Sequence, residues 1–237
     1  MKGNFVAWAD DFLSLIYPRL CMACGNSLFL NEDVLCNRCL VHLPQTRFHL
    51  NPKDNLVVRS FWGRVPIEGG AARYFFRKSA PVQQLLHNLK YNHAPEIGVY
   101  LGRIYGRELL ESEVFRSVDI IIPIPLHPDK ERKRGYNQAT MFAMGLSQAM
   151  GKPMDATSLY RAVFTETQTR KSRLRRWENV KSVFALRNAA RLEDRHILLV
   201  DDVITTGATM EACINILLEV PGTRVSVAAI ATAGRVV

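Results

Sequence analysis

Ile197-Leu198-Leu199-Val200-Asp201-Asp202-Val203-Ile204-Thr205-Thr206-Gly207-Ala208-Thr209 is the stretch from which the rest of the chain is best read. An apolar run meets an acidic pair, and a hydroxyl- and glycine-rich loop then opens a helix. Backbone N–H groups and the dipole at such a helix N-terminus form an anion site, to which Thr205, Thr206 and Thr209 add hydroxyl donors. Those features suit a phosphate monoester. Two adjacent carboxylates at a strand's end do not bind phosphate, but they accept hydrogen bonds from vicinal sugar hydroxyls. Together the parts describe a site for ribose 5-phosphate. The competing reading is a solvated acidic turn. No Walker A or Rossmann glycine pattern offers another nucleotide site.

Working outward, Val118-Asp119-Ile120-Ile121-Ile122-Pro123 is a second β-branched run of the kind buried on both faces of a parallel sheet. Strands are expected at 71–76, 118–123, 196–200 and 225–231. Helices are expected from Pro81 (Val82, Leu85, Leu86, Leu89), across Ile97, Leu101, Ile104, Tyr105 and Leu109, over 138–150, and from Met210. Strands alternating with helices predict a central parallel sheet covered on both sides, with ligands at the carboxyl ends of the strands. A polar turn, NPKDN at 51–55, separates this region from a cysteine-rich one, so the expected division is 1–55 and 56–237.

Cys21-x-x-Cys24 and Cys36-x-x-Cys39 are two knuckles, each short enough for both thiolates to reach one tetrahedral ion. Four thiolates leave no open coordination position, so a structural zinc is expected, supplying folding energy to a segment too small to bury a core. Disulfides or plainly buried cysteines are the alternative, and His42 and His49 lie close enough to exchange for a ligand. Cys213, among Ile214, Ile216 and Leu217, reads as core.

Two basic segments flank the predicted ligand edge. After Pro123 comes IPLHPDKERKRGYNQA (124–139), in which Arg134, Asn137 and Gln138 stand at or just before the start of the next helix and offer donors to a pyrophosphate. Taken alone, its KERKR run is more often a solvated face. Six residues from 170 to 181 are basic (Arg170, Lys171, Arg173, Arg175, Arg176, Lys181), and only Glu178 is acidic. A cationic hood over a departing pyrophosphate accounts for that composition, and an exposed helix is the plainer account.

The chain has 237 residues, 48% of them hydrophobic, and a formal charge of +9, which favours polyanionic partners without choosing among them. Phe5, Trp8, Phe12, Leu15 and Ile16 recur at helical spacing before Pro18, predicting an amphipathic N-terminal helix. Asp10 and Asp11 interrupt the apolar stretch, and no run is long enough to span a bilayer, so a cytoplasmic location is expected.

The blocks YPRLCMACG, LCNRCL, LLHNLKY (85–91), PIPLH with RGYNQA, the Thr165, Gln168, Arg176, Asn179 block and VDDVITTGAT, in this order, resemble the ComF family of competence-associated phosphoribosyltransferase-like proteins. The VDDVITTGAT stretch resembles the phosphoribosyl-pyrophosphate (PRPP) motif of type I phosphoribosyltransferases, and the Thr165 to Asn179 block resembles the hood of glutamine PRPP amidotransferases. Lys171 departs from the family, which more often has an apolar residue there. The resemblance implies the type I phosphoribosyltransferase fold behind a four-cysteine zinc module. It also implies Asp201 and Asp202 on the ribose 2′- and 3′-hydroxyls, and Thr205, Thr206, Gly207, Ala208 and Thr209 around the 5′-phosphate. Mg²⁺ would accompany PRPP, and Arg176 would act with the two carboxylates in catalysis.

Three functions stay open at this point: a transferase with unmarked acceptor, a PRPP sensor, and an adaptor for single-stranded DNA. For the adaptor, Arg170, Lys171, Arg173, Arg175, Arg176 and Trp177, with Tyr136, would supply cations and stacking surfaces. Other proteins of the competence machinery and further copies of the chain are the remaining partners implied.

Overall fold

The two apolar runs become neighbouring strands of one sheet. In the computed structural model, which describes residues 18–77, 80–162 and 183–233, β1 (Gly69–Phe75), β2 (Ile120–Pro123), β5 (His196–Ile204) and β6 (Arg224–Thr232) form a sheet in the order β1-β6-β5-β2. Every pairing is parallel, with Ile122 opposite Leu199, Leu199 opposite Val227, and Ala71 opposite Ala228. A separate antiparallel ribbon joins β3 (Leu159–Arg161) to β4 (Phe184–Leu186), and the Ala162 N–H donates to Val183 O at 2.8 Å just beyond it.

The helices are α1 (Asn37–His42), α2 (Leu56–Arg59), α3 (Pro81–Tyr91), α4 (Glu96–Leu109), α5 (Glu113–Arg116), α6 (Pro128–Arg134), α7 (Gln138–Met150) and α8 (Ala208–Leu217). On one face of the sheet, Leu198 and Val200 share a core with α3, α4 and α7. On the other, Ile197 and Leu199 share a core with Met210, Cys213, Ile214 and Leu217 of α8. That alternation explains why β5 reads as a continuous apolar run: both of its pleats are buried. Cys213 is fully buried, as expected.

Helices α4 and α7 touch backbone to backbone. Gly98, Gly102 and Gly106 recur every four residues along α4, and a Cβ on Gly102 would stand 2.3 Å from Phe142 O. A Cβ on Gly145 of α7 would stand 2.1 Å from Val99 O, so neither position admits a side chain in this packing.

The cysteine module is built into the same structure. Cys21, Val34, Leu35, Cys36, Cys39 and Leu43 belong to the core that holds α3 and α4. The outer edge of β1 is covered by the segment that follows α1: Thr46 N–H donates to Arg73 O at 2.9 Å, and Phe75 N–H to Pro44 O at 2.8 Å. The edge is thereby closed to other chains. In the polar turn, Asn55 caps α2 through Val57 N and donates to Gly70 O of β1 at 2.7 Å.

The structure departs from the sequence expectations in three places. Strand β5 runs on to Ile204 because Asp201, Val203 and Ile204 keep pairing with Ala229, Ala231 and Thr232, so the acidic pair lies inside the strand. The KERKR run forms a helix of its own, α6, started by the His127 ring accepting from Asp129 N–H and ended by left-handed Gly135. Helix α8 begins at Ala208, two residues before Met210. The expected N-terminal helix falls on residues 1–17, outside those described. Among the described residues, no helix is long and apolar enough to cross a membrane.

Candidate functional site

At the carboxyl end of β5, the pleat sends Asp201 and Asp202 to opposite faces of the sheet. Asp201 follows the side of Leu199 and α8, where its charge adds to the burial that pushes up the Cys213 thiol. Asp202 follows the side of Val200 and α3. Burial, and secondarily the neighbouring Asp202 charge, push Asp201 up to about 8, against the 2.7 Å hydrogen bond from Asp202 N–H and the attraction of Lys90. Burial thus favours the protonated form of Asp201, in which it can donate as well as accept.

Asp202 meets a cation that sequence reading left without a task. Lys90 Nζ of α3 lies 2.9 Å from Asp202 Oδ2. Both line a cleft of about 330 Å³ with Phe76, Leu86, Tyr91 and Thr205. LLHNLKY was legible as a motif, but a pairing across 112 residues leaves no local periodicity to read.

Beyond the strand, Gly207 takes φ +75° and, as the residue that opens α8, brings no side-chain cap to the helix. A Cβ at Gly207 would stand 3.0 Å from the Phe61 ring, so glycine serves both the turn and the close approach. The loop is tied down from behind, since Arg64 donates to Thr206 O at 2.8 Å and ion-pairs with Glu211. The Thr206 hydroxyl accepts weakly from Ala208 N–H at 3.4 Å, and Thr205 is exposed. Helix N-terminal amides without a cap need an acceptor, and a phosphate supplies several.

The three residues expected from the basic loop divide. Asn137 is buried and spent on structure: its Oδ1 caps α7 through Ala139 N–H at 3.0 Å, and its Nδ2 donates to Ile124 O at 2.9 Å. Asn immediately before a helix is a cap signal that the sequence already carried. Gln138 is buried with no partner for Nε2 among the described residues. The Arg134 guanidinium sits 5.7 Å above the Tyr91 ring, and Tyr91 also lines the Asp202 cleft. Tyr136 OH donates to Leu89 O at 2.6 Å. Residues 89–91 thus join the acidic strand to the basic loop. The expected sites at Arg170, Lys171, Arg173, Arg175, Arg176 and Trp177 lie outside the described residues.

The sulfurs of Cys21, Cys24, Cys36 and Cys39 all lie within 4.8 Å of one another, and those of Cys24 and Cys36 are 3.7 Å apart. A tetrahedral zinc with Zn–S of about 2.3 Å requires S···S edges of about 3.8 Å, so the cluster fits that ion. The cysteines are free thiols. Cys36 N–H donates to Cys21 Sγ at 3.3 Å, and Cys39 N–H to Cys36 Sγ at 3.4 Å. Burial raises Cys21, but that amide and its neighbours outweigh burial and bring the thiol to about 7. Burial and the crowding of sulfurs push Cys39 up. Such crowding is what a bound dication relieves. Glu32, accepting from Phe29 N–H at 2.8 Å and Asn37 N–H at 2.6 Å, closes the loop between the knuckles.

Comparison with known proteins bears on the family and the fold of the chain. The phosphoribosyl transferase domain family matches residues 137–235, from the cap of α7 through β6. The DNA utilization protein YhgH of Salmonella typhi is 30% identical over 220 residues, covering 86% of this chain and 92% of that protein. Competence protein F of Haemophilus influenzae is 25% identical over 212 residues, covering 83% and 90%. Competence protein ComFC of Bacillus subtilis is 32% identical over 100 residues, covering 42% and 38%. Among solved structures, a glutamine PRPP amidotransferase from B. subtilis overlaps 60% of this chain at TM-score 0.43 and 19% identity, and this chain spans 30% of that one.

Proposed function

The chain belongs to the ComF family, and from that premise we propose that the carboxyl edge of its sheet binds PRPP. The uncapped N-terminus of α8, opened by left-handed Gly207 directly after the acidic strand, is the observation that supports this most. In this reading the amides and hydroxyls of Thr205 to Thr209 take the 5′-phosphate, Asp201 and Asp202 take ribose hydroxyls, and Arg134 and Gln138 face the pyrophosphate. Where transfer occurs, the bond from C1′ to the pyrophosphate oxygen breaks as an acceptor nucleophile bonds to C1′, and Arg176 and the loop cations stabilise the leaving group. A PRPP sensor would use the same contacts without turnover.

The carboxylates do not by themselves suit Mg²⁺, because Asp202 is paired with Lys90 and burial disfavours the charged form of Asp201. In this proposal Mg²⁺ arrives on the pyrophosphate and supplies charge neutralisation there. Zinc, in the cysteine cluster, supplies folding energy. Calorimetry with Mg-PRPP tests the reading: binding by the wild type, weakened at least about tenfold in the Asp201→Asn, Asp202→Asn double variant with the fold intact, is expected. Equal affinity of the two proteins would remove the site.

A second reading is single-stranded DNA binding. It is favoured by the charge of +9, by the exposed Lys130, Arg132 and Lys133 of α6, and by the name of one relative, the DNA utilization protein YhgH. The basic segment from Arg170 to Lys181 belongs to this reading through its composition. Anisotropy of a labelled oligonucleotide titrated with NaCl tests it, the expected log–log slope being about −0.7 per phosphate contacted. Salt-insensitive binding, or Arg173, Arg175 and Arg176 changed together to Ala without effect, would exclude it.

A further inference from the structure

Lys90 is idle in the sugar-phosphate reading, yet its placement is tightly held. The two residues before it are fastened on either side: Asn88 Nδ2 donates to Met22 O at 2.8 Å, and Leu89 O accepts from Tyr136 OH at 2.6 Å. The side chains of Lys90 and Asp202 are 28% and 12% exposed, so their 2.9 Å contact is largely out of water. Asp202 Oδ1 has no protein partner among the described residues. One oxygen of this carboxylate is thus held by a cation of the protein, and Asp202 itself lines the cleft.

Resting on the sugar-phosphate reading, we infer that Lys90 is a positioning residue that fixes the Asp202 carboxylate for one sugar hydroxyl, and thereby makes the cleft select ribose derivatives that carry it. A carboxylate free to turn exchanges a hydroxyl for water at small cost, whereas a charge-assisted bond in a partly buried site restrains it in one orientation. Phe76, Leu86 and Tyr91 give the cleft its apolar wall, beside Gln83, His87 and Thr205. A site built around a hydroxyl rejects the analogue lacking it, because its own acceptor is left unpaired. Were Lys90 only a counter-charge for the ligand's phosphate, its loss would weaken every sugar phosphate alike.

Ribose 5-phosphate and its 2-deoxy and 3-deoxy analogues, titrated by calorimetry into the full chain, separate these cases. Asp202→Asn should abolish a preference of about tenfold or more for one of the two hydroxyls. Lys90→Met should lose the preference for that same hydroxyl to within about threefold, Lys90→Arg should restore most of it, and the double variant should lose nothing more. Should Lys90→Met melt early, Lys90→Gln carries the same comparison. Uniform weakening of all three ligands, an unchanged preference, or a loss at the other hydroxyl overturns the inference. A wild type that binds no sugar phosphate overturns the underlying reading instead, and this inference with it.

Discussion

The cysteine module and the acidic strand with its threonine loop use the same elements, backbone N–H groups beside concentrated negative charge, to opposite ends. In the module the amides of Cys36 and Cys39 point at sulfurs within the cluster, and Glu32 absorbs two more. In the strand and its loop, α8 begins without a side-chain cap from Gly207, and Asp201 is pushed up to about 8. The first region is satisfied from within and supports the fold. The second is left unsatisfied at a cost in stability, as a site awaiting a ligand is. Removing a thiolate from the first and the buried carboxylate Asp201 from the second should therefore move stability in opposite directions.

The largest effect is expected in the module. Cys36→Ser removes a sulfur that also caps α1, from a cluster sharing its core with α3 and α4. Apparent free energies of structural zinc binding run to about 10 kcal/mol or more, so the variant should lose its metal and melt far below the wild type. Metal content and melting temperature check this, and full zinc with unchanged melting would refute the assignment.

Asp201→Asn should do the reverse. The folded-state value of Asp201 lies near 8, above the ordinary 3.8, so between about pH 4 and 8 the folded chain holds a proton that the unfolded chain has released. Stability attributable to Asp201 is intact below about pH 4, falls as pH rises through that window, and is lowest above about pH 8. Asn keeps the acceptor for Asp202 N–H and carries no such burden, so the variant should gain about 2 kcal/mol or more at about pH 8–9 and little at about pH 4. PRPP affinity should fall in the same protein. Denaturant melts across pH read the first effect, and a variant destabilised at the alkaline end contradicts it.

Gly207→Ala ranks next, since it burdens the loop alone. A Cβ at φ +75° is strained by about 1 kcal/mol, and the Phe61 ring 3.0 Å away must yield. Loss of inorganic phosphate binding with a small drop in melting temperature is expected. Unchanged phosphate affinity would separate the loop from anion binding.

How much of this was legible in sequence depended on the distance over which each signal acts. The apolar stretch of β5 and the loop after it carry their periodicity and turn chemistry in consecutive residues, and the parallel sheet follows from them. The divergence of Asp201 and Asp202 was also local, because neighbours in a strand face opposite ways, but it required knowing that pairing with Ala229 and Ala231 carries the strand past Val200. Lys90 and Tyr91 acquire their partners only through the packing of α3 between module and sheet. Three-residue strands such as β3 and β4 are too short to declare a period at all.

The smallest effect tests whether the two regions are as separate as their chemistry is. Helix α3 touches both: Asn88 donates to Met22 O, inside the first knuckle, and two residues on Lys90 reaches Asp202. The Asn88 side-chain oxygen in turn accepts from Gln84 Nε2 at 3.1 Å and Asn92 Nδ2 at 2.8 Å, so one side chain ties the knuckle to a full turn of α3 on either side. Asn88→Ala leaves Met22 O without that donor and should cost about 1 kcal/mol in stability, with zinc retained because no sulfur is touched. If α3 transmits the module's position to the site, sugar-phosphate affinity should also fall, by about three- to fivefold, since Lys90 loses the anchor that sets its height in the cleft. Combining Asn88→Ala with Lys90→Met gives the measure of coupling: binding losses that do not add place both residues on one path, and strictly additive losses make the module a support with no bearing on the site.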